Sequence, residues 1–187
     1  MFRVSSRRTA ALVGPLLVAA MVLAADANVD AARSSLVATF RQEKVPVDAP
    51  FRKFTGNIVY DAAKVATASA ALDIDMSSLD LGDAGTSAEV RKKPWFDSAG
   101  FPTATFRSTS IKPGAAGNFE ATGTLTIKGR ALAVTLPIAV QSAAGLTTFT
   151  GSYVLSRKAF GIGDPQWADV LDDKVTVKFR IVTASRK

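Results

Sequence analysis

The amino-acid sequence predicts an all-β protein, an antiparallel barrel with a short helix near residues 87–93. Apolar and polar residues alternate at a period of two along most of the chain, which is typical of half-buried strands. Turn signals separate the alternating runs, and a single segment has a helix-start pattern. The chain has 187 residues, of which 48% are hydrophobic, and this suits one globular domain.

Residues 1–27 are expected to be a secretory signal peptide. Three arginines precede an apolar run over residues 10–25, and small residues around Ala27 fit a cleavage site. The run is shorter than the roughly 20 residues of a spanning helix, although an uncleaved anchor stays an alternative. The general and the twin-arginine export routes both stay open. We therefore expect residues 28–187 to form the mature domain in a bacterial periplasm.

The composition excludes several classes of site. There is no cysteine and no histidine, so disulfides, thiolate zinc sites and histidine-dependent catalytic groups are ruled out. Lys and Arg total 23 against 16 Asp and Glu, a net charge of +7 that fits an acidic partner or a solvated basic surface. We expect no enzyme activity, no metal site and no cofactor.

Eight strands are expected from the alternation. In each strand, residues two apart form an apolar face and the residues between them form a polar face. In chain order these strands cover residues 36–41, 53–61, 70–76, 103–111, 119–128, 132–140, 149–155 and 175–181.

Turns and one helix connect these strands. Gly114, Gly129 and Gly145 lie in turn signals, which predict an antiparallel meander in the second half. The capping-box spacing of Thr86 and Glu89 predicts a helix that ends before Pro94. About two turns long, this helix suits a lid over one end of a sheet.

The strands can form a sandwich or a closed barrel, and the barrel is favoured because closure removes exposed strand edges. Several inward positions are small, which either relieves packing or leaves room for one small ligand. These positions are Ala38, Gly56, Ala70, Ala121, Gly123 and Gly151.

Two motifs have both a chemical and a structural interpretation. Residues 161–163, Gly-Ile-Gly, are interpreted as a turn, because no helix pattern and no third glycine follow. A group of aspartates allows calcium binding or glycosidase chemistry, although its spacing fits no EF-hand and such carboxylates more often form a solvated strand face. The group comprises Asp73, Asp75, Asp80 and Asp83.

A basic run, Arg91-Lys92-Lys93, lies beside Trp95 and Phe96. Cations beside aromatic residues are typical of single-stranded nucleic acid binding, but export argues against that partner. The run also suits an anionic membrane surface or a pyrophosphate. Alternatively, it ends a helix while the two aromatic residues enter the core. Nucleic acid is therefore not an expected partner, whereas contact with a membrane surface stays open.

Several segments resemble the YceI-like family of secreted polyisoprenoid-binding proteins. They are WFDSAGFPTATFRSTSI at residues 95–111, GNFEATGTLTIKGRALAVTLPI at 117–138 and SRKAFGIG at 156–163. FRKFTGNIVYDAAK at 51–64 and SAALDIDMSSLDLGD at 69–83 match the family in the same order. The resemblance covers nearly all of the chain that follows the expected signal peptide.

The resemblance implies an extended, lipocalin-like barrel of eight antiparallel strands whose apolar lumen holds a long isoprenoid such as a quinone tail. Glu89 stands where many members have a histidine, so a head-group or metal role of that histidine does not transfer. The stretch at residues 161–181 is similar to the subgroup often associated with membrane b-type cytochromes.

We therefore hypothesise a periplasmic carrier for a long isoprenoid lipid, either a polyisoprenoid or a quinone. The alternative is a non-catalytic interaction or stress module with a filled barrel, which docks a membrane partner such as a b-type cytochrome. The oligomeric state stays open, a homodimer included. The expected ligand-binding residues are Phe40, Ile58, Leu72, Ile74, Phe106, Leu125, Leu136, Phe149, Tyr153, Val177 and Phe179.

Overall fold

The computed structural model describes residues 28–184, so the signal peptide expected over residues 1–27 lies outside the described residues. Nine strands form one antiparallel sheet in the order β2-β1-β9-β8-β7-β6-β5-β4-β3. The all-β class is confirmed. The strands are β1 (Ser35–Gln42), β2 (Val45–Pro50), β3 (Phe54–Val59), β4 (Ser69–Asp75), β5 (Thr103–Pro113), β6 (Phe119–Ile127), β7 (Arg130–Ala143), β8 (Leu146–Ser156) and β9 (Lys174–Ala184).

Strand β2 is the difference from the expected eight strands. It contains Pro46 and Pro50, and proline cannot donate a hydrogen bond to a neighbouring strand. An edge strand tolerates this, and β2 is at one edge of the sheet. The turn before β2 consists of Glu43 and Lys44, whose φ values of 50° and 67° are those of a tight hairpin turn without the usual glycine. The sequence therefore lacks both ordinary signals for this hairpin.

The sheet curls around its buried face into a lipocalin-like barrel, and short bridges tie each of its edge strands, β2 and β3, to other parts of the chain. Phe51, just after β2, pairs with Leu79. Towards the opposite edge, the Asn28 side chain donates to Ile58 O (2.6 Å) and accepts from Ile58 N (2.8 Å), as a strand neighbour would. The next two residues bond to β9. Segment 28–30 therefore spans the gap between β3 and β9.

Close contacts between strands account for two of the small inward positions. A Cβ on Gly123 would lie 2.4 Å from Arg107 O, beside a bulge in β5, and a Cβ on Gly151 would lie 2.3 Å from Pro137 O. Bulges and close approaches let a sheet bend, so these glycines serve curvature. They do not line the interior space.

The short helix is confirmed as α1 (Ala84–Glu89), although it begins and ends earlier than expected. Its N-cap is Asp83, whose carboxylate accepts from Thr86 N at 2.7 Å. A carboxylate forms a stronger charge-assisted cap than the Thr86 hydroxyl. The prediction of residues 87–93 was wrong at both ends because it assigned the cap to Thr86.

The two ends of the barrel differ in construction. At one end, which we call the mouth end, segment 76–102 with α1 meets segment 157–173. Lys128 Nζ ties them together by donating to Lys93 O (2.7 Å) and Gly161 O (2.8 Å). At the other end, the hairpin end, short turns connect the strands. Over residues 28–184, no helix is both long and apolar enough to cross a bilayer.

Candidate functional site

The inside of the barrel contains a cavity of about 480 Å³. Ligand pockets fall in the range of roughly 300–1,000 Å³. An apolar cavity of roughly 150 Å³ is already enough to hold benzene. The inward side chains therefore enclose space instead of meeting at the centre.

The cavity wall is formed by inward positions of the strands, in register across the sheet. Because side chains alternate across a strand, the positions two apart all reach the same interior. The eleven side chains expected from the alternation all lie on this wall, and their contact with a ligand stays a prediction. They are Phe40, Ile58, Leu72, Ile74, Phe106, Leu125, Leu136, Phe149, Tyr153, Val177 and Phe179.

Aromatic side chains close the cavity at the hairpin end. The Tyr60 ring lies edge-to-face against Phe119, with ring centroids 5.9 Å apart, and against Phe149 at 5.5 Å. All three rings line the cavity. Edge-to-face aromatic pairs stabilise about 0.5–1.5 kcal/mol beyond the burial of their area. This end is therefore an apolar stop.

The opening lies at the mouth end. Among the described residues that line the cavity, the exposed ones all belong to α1, to the end of β1 or to segment 157–173. We call these five residues the mouth. They are Gln42, Thr86, Glu89, Trp167 and Asp172.

A buried cation lies behind the mouth. Arg157 lines the cavity and is only 7% exposed. Its Nε donates to Asp172 O (3.0 Å), its Nη1 to Ile162 O (3.0 Å) and its Nη2 to Leu171 O (2.9 Å). These bonds hold the later part of segment 157–173 against Arg157, which directly follows β8.

Sequence reasoning gave no role to Arg157, although a signal for it existed. The inward face of β8 includes Tyr153 and Leu155, and the same alternation places residue 157 on that face. Trp167 had no such signal, because the apolar residues of its segment do not repeat at a regular spacing. Trp95 is buried on the cavity wall, as the core interpretation of the basic segment proposed.

The cations that precede Trp95 are exposed to solvent, unlike Trp95 itself. Arg91, Lys92 and Lys93 are exposed, and Lys92 Nζ lies 2.5 Å from Glu89 Oε2. The run therefore follows the end of α1 and lies next to the mouth. Glu89, where the family resemblance places a histidine, is one of the residues that line the opening.

The aspartates considered for calcium or catalysis form structural contacts. Asp73 and Asp80 each pair with an arginine, at 2.5 and 2.8 Å. Bonds from Ser77 lower the pKa of Asp75, and bonds led by backbone N–H groups lower the pKa values of Asp80 and Asp83. No three metal-ligating side chains group together in the described part of the chain. The geometry therefore favours the structural interpretation of these carboxylates.

Comparison with known proteins identifies the family. The family described as the YceI-like domain matches residues 28–183. The chain belongs to the YceI-like family. The resemblance found in the sequence motifs is thereby confirmed.

Curated YceI-like relatives of this chain are named UPF0312 proteins. One from Shewanella baltica is 30% identical over 166 residues, which cover 81% of this chain and 85% of the relative. One from Vibrio cholerae is 33% identical over 122 residues, covering 60% of this chain and 62% of the relative. The match therefore spans less than two thirds of the Vibrio protein.

Solved structures share the fold. BcnA of Burkholderia cenocepacia is 39% identical with a TM-score of 0.81, covering 83% of this chain and 99% of BcnA. A polyisoprenoid binding domain from Saccharophagus degradans, implicated in plant cell wall breakdown, is 18% identical with a TM-score of 0.69. That match covers 84% of this chain and 97% of the domain. At such low identity the second likeness shows the fold alone.

Proposed function

We propose that this YceI-like chain is a periplasmic carrier for a long isoprenoid lipid, whose tail occupies the barrel cavity. The observation that carries the proposal is the apolar cavity of about 480 Å³, stopped by aromatic rings at one end and open at the other. A blind apolar tube with one opening suits a long tail with a polar end. The polyisoprenoid-binding domain of S. degradans, which has the same fold, supports this ligand class.

Burial of hydrocarbon supplies the affinity in this proposal. A twenty-carbon tail contributes roughly 16 kcal/mol at about 0.8 kcal/mol per CH₂, before the cost of ordering the chain and the partner is subtracted. Neither bond making nor a cofactor is required. The alternative of an interaction module with a filled barrel is less well supported, because a filled barrel leaves no such cavity.

Loading at a membrane surface is part of the proposal. Trp167 is 40% exposed at the mouth. Val45 is 61% exposed two residues after Glu43, whose backbone N–H donates to Val170 O at 2.8 Å. These exposed apolar side chains suit contact with a lipid interface. We propose that the lipid is a polyisoprenoid or a quinone, and that a membrane b-type cytochrome is a partner that supplies or receives a quinone.

The test is to purify the protein from the periplasm, extract it with organic solvent and identify the extracted lipids by mass spectrometry. We expect an isoprenoid in the extract, and uptake of added ubiquinone by the emptied protein. If the extract contains no isoprenoid and the emptied protein takes up none, the carrier function is wrong. The mass of the periplasmic protein tests export, since cleavage after Ala27 leaves a chain that begins at Asn28.

A further inference from the structure

Arg157 is the one buried cation on the cavity wall among the described residues. We propose that it binds the polar head group of the isoprenoid and fixes the direction of the lipid, with the head behind the mouth and the tail towards Tyr60. This inference rests on the proposed carrier function and adds the chemistry that the site recognises, an anionic head group with acceptor oxygens.

The Arg157 charge is buried without a counter-ion in the part of the chain that the structure describes. A charge removed from water is costly unless it is paired. No carboxylate oxygen of the described residues lies within 4.0 Å of the Arg157 guanidinium, which contacts backbone carbonyls instead. Carbonyl oxygens supply partial charge and no counter-ion. An anionic head group would supply the missing charge.

The Arg157 guanidinium has more N–H donors than its bonds to the protein use. A guanidinium has five N–H groups, one on Nε and two on each terminal nitrogen. The three bonds to carbonyl oxygens of Ile162, Leu171 and Asp172 use one N–H of each nitrogen. One N–H remains on each terminal nitrogen of Arg157. These N–H groups can donate to the oxygens of a phosphate or carboxylate.

Arg157 lies at the end of the cavity where a head group would enter. Arg157 continues the inward face of β8 at the mouth end, while the apolar stop at Tyr60 lies at the other end of the same cavity. The mouth also contains two exposed carboxylates, Glu89 and Asp172, and Glu89 is paired with Lys92. These carboxylates lie in contact with water, which screens them, whereas Arg157 is shielded. A head group just inside the mouth meets the cation.

The chain offers a natural reporter of lipid direction. Its two tryptophans, Trp95 and Trp167, both line the cavity at the mouth end. Two prenyl phosphates with the same twenty-carbon tail are compared, one brominated next to the head and one at the far end of the tail. Bromine quenches tryptophan emission at short range. We expect stronger quenching at saturation by the head-brominated lipid, and equal or weaker quenching by it would overturn the proposed direction.

A second experiment tests the residue itself. Wild-type protein should bind geranylgeranyl phosphate about tenfold more tightly than the uncharged hydrocarbon of equal length, which corresponds to about 1.4 kcal/mol. Arg157→Gln should reduce this preference to less than about twofold, with hydrocarbon binding unchanged. Lys158→Gln, which removes the exposed cation next in the chain, should keep the preference. If circular dichroism shows that Arg157→Gln is unfolded, the quenching experiment, which needs no variant, decides the proposal.

The outcomes separate the two proposals. Equal binding of phosphate and hydrocarbon by the wild type would overturn the role of Arg157 and leave the carrier function intact. Retention of the preference by a folded Arg157→Gln variant would do the same, because a residue that only fastens segment 157–173 would not set head-group preference. Failure of both lipids to bind would remove the carrier function and this inference with it.

Discussion

The mouth end and the hairpin end close the same barrel with different chemistry. At the mouth end, Arg157 and Lys128 hold two long segments through backbone carbonyls, and the lining residues are partly exposed and polar. At the hairpin end, Tyr60, Phe119 and Phe149 pack edge-to-face without a charged group. The barrel is therefore polarised: its cavity opens among polar residues at one end and is closed by aromatic rings at the other.

The largest expected effect comes from charge at the apolar stop. Phe149→Arg places a guanidinium among aromatic rings, where an unpaired charge costs several kcal/mol. We expect lipid uptake to be abolished. Val154→Arg introduces the same group on the outward face of β8, where residue 154 is 54% exposed, and should leave uptake unchanged.

Equal uptake by these two variants would show that the inner and outer faces of β8 are wrongly assigned. Circular dichroism of Phe149→Arg checks folding. If that variant is unfolded, Leu72→Arg tests the inner face of the sheet on β4, at a half-buried wall position.

A smaller effect is expected from opening the apolar stop. Phe119→Ala removes one ring of the edge-to-face group and should destabilise the protein by about 2–4 kcal/mol in urea unfolding. It should also shift the preferred prenyl chain to a longer one, because the cavity extends at that end. Phe101→Ala, at a ring that is 38% exposed and lies off the cavity, is the matched control. If Phe101→Ala lowers the free energy of unfolding as much as Phe119→Ala does, the aromatic group at the hairpin end has no special role.

Loosening the mouth end should cost less. Lys128→Met removes the ammonium that bonds to Lys93 O and Gly161 O. A hydrogen bond to a charged group stabilises a fold by about 1.5–3 kcal/mol. Water can replace part of these bonds in the variant, so we expect the free energy of unfolding to fall by about 1–2 kcal/mol. Hydrogen exchange should speed up in segments 90–100 and 157–173. Faster exchange in the hairpin turn at residues 144–145 instead would contradict the assignment of Lys128 as the link between these two segments.

The smallest effect is expected from acidification. Bonds from the Ser77 side chain and backbone lower the pKa of Asp75, and the bond from Thr86 N lowers that of Asp83, both from 3.8. A carboxylate with a lowered folded-state pKa stabilises the fold above its unfolded-state pKa, and this stabilisation is lost as the pH falls through the folded-state value. Below pH 3.8, protection against amide exchange, relative to the intrinsic rate at each pH, should therefore be lost first over residues 76–89. Residues 143–146, which contain no carboxylate, should follow later; the reverse order would contradict the account.

The wall of the cavity was predictable from the sequence, because period-two alternation records which side chains share a face. All eleven expected wall residues, from Phe40 to Phe179, lie on it. The emptiness of the interior was not predictable, since filled and hollow barrels use the same pattern. Small residues did not decide it either: Ala38 and Ala70 line the cavity, whereas Gly123 and Gly151 permit close strand contacts.

The mouth was the least predictable part. The apolar residues of segment 157–173 follow neither the period of a strand nor that of a helix. Nothing in its pattern therefore places Trp167 at an opening. Strand β2 was hidden by its prolines, and the start of α1 depended on whether Asp83 or Thr86 took the cap. The conformation of a loop depends on contacts between distant segments, such as the bond from Lys128 to Gly161 O. The spacing of residues in the sequence does not predict such contacts.

The most direct test of the central claim, that a lipid tail occupies the lumen, is uptake by a barrel whose cavity is filled. Ala38→Phe combined with Ala70→Phe adds two rings to the wall, and Ala71→Phe adds one beside them on a side chain that does not line the cavity. Equilibrium uptake of a radiolabelled twenty-carbon isoprenoid is measured for each variant and for the wild type. The account predicts a loss of at least about tenfold for the filled barrel, with its melting temperature maintained and the Ala71→Phe variant unaffected. Undiminished uptake by the folded, filled barrel would contradict it.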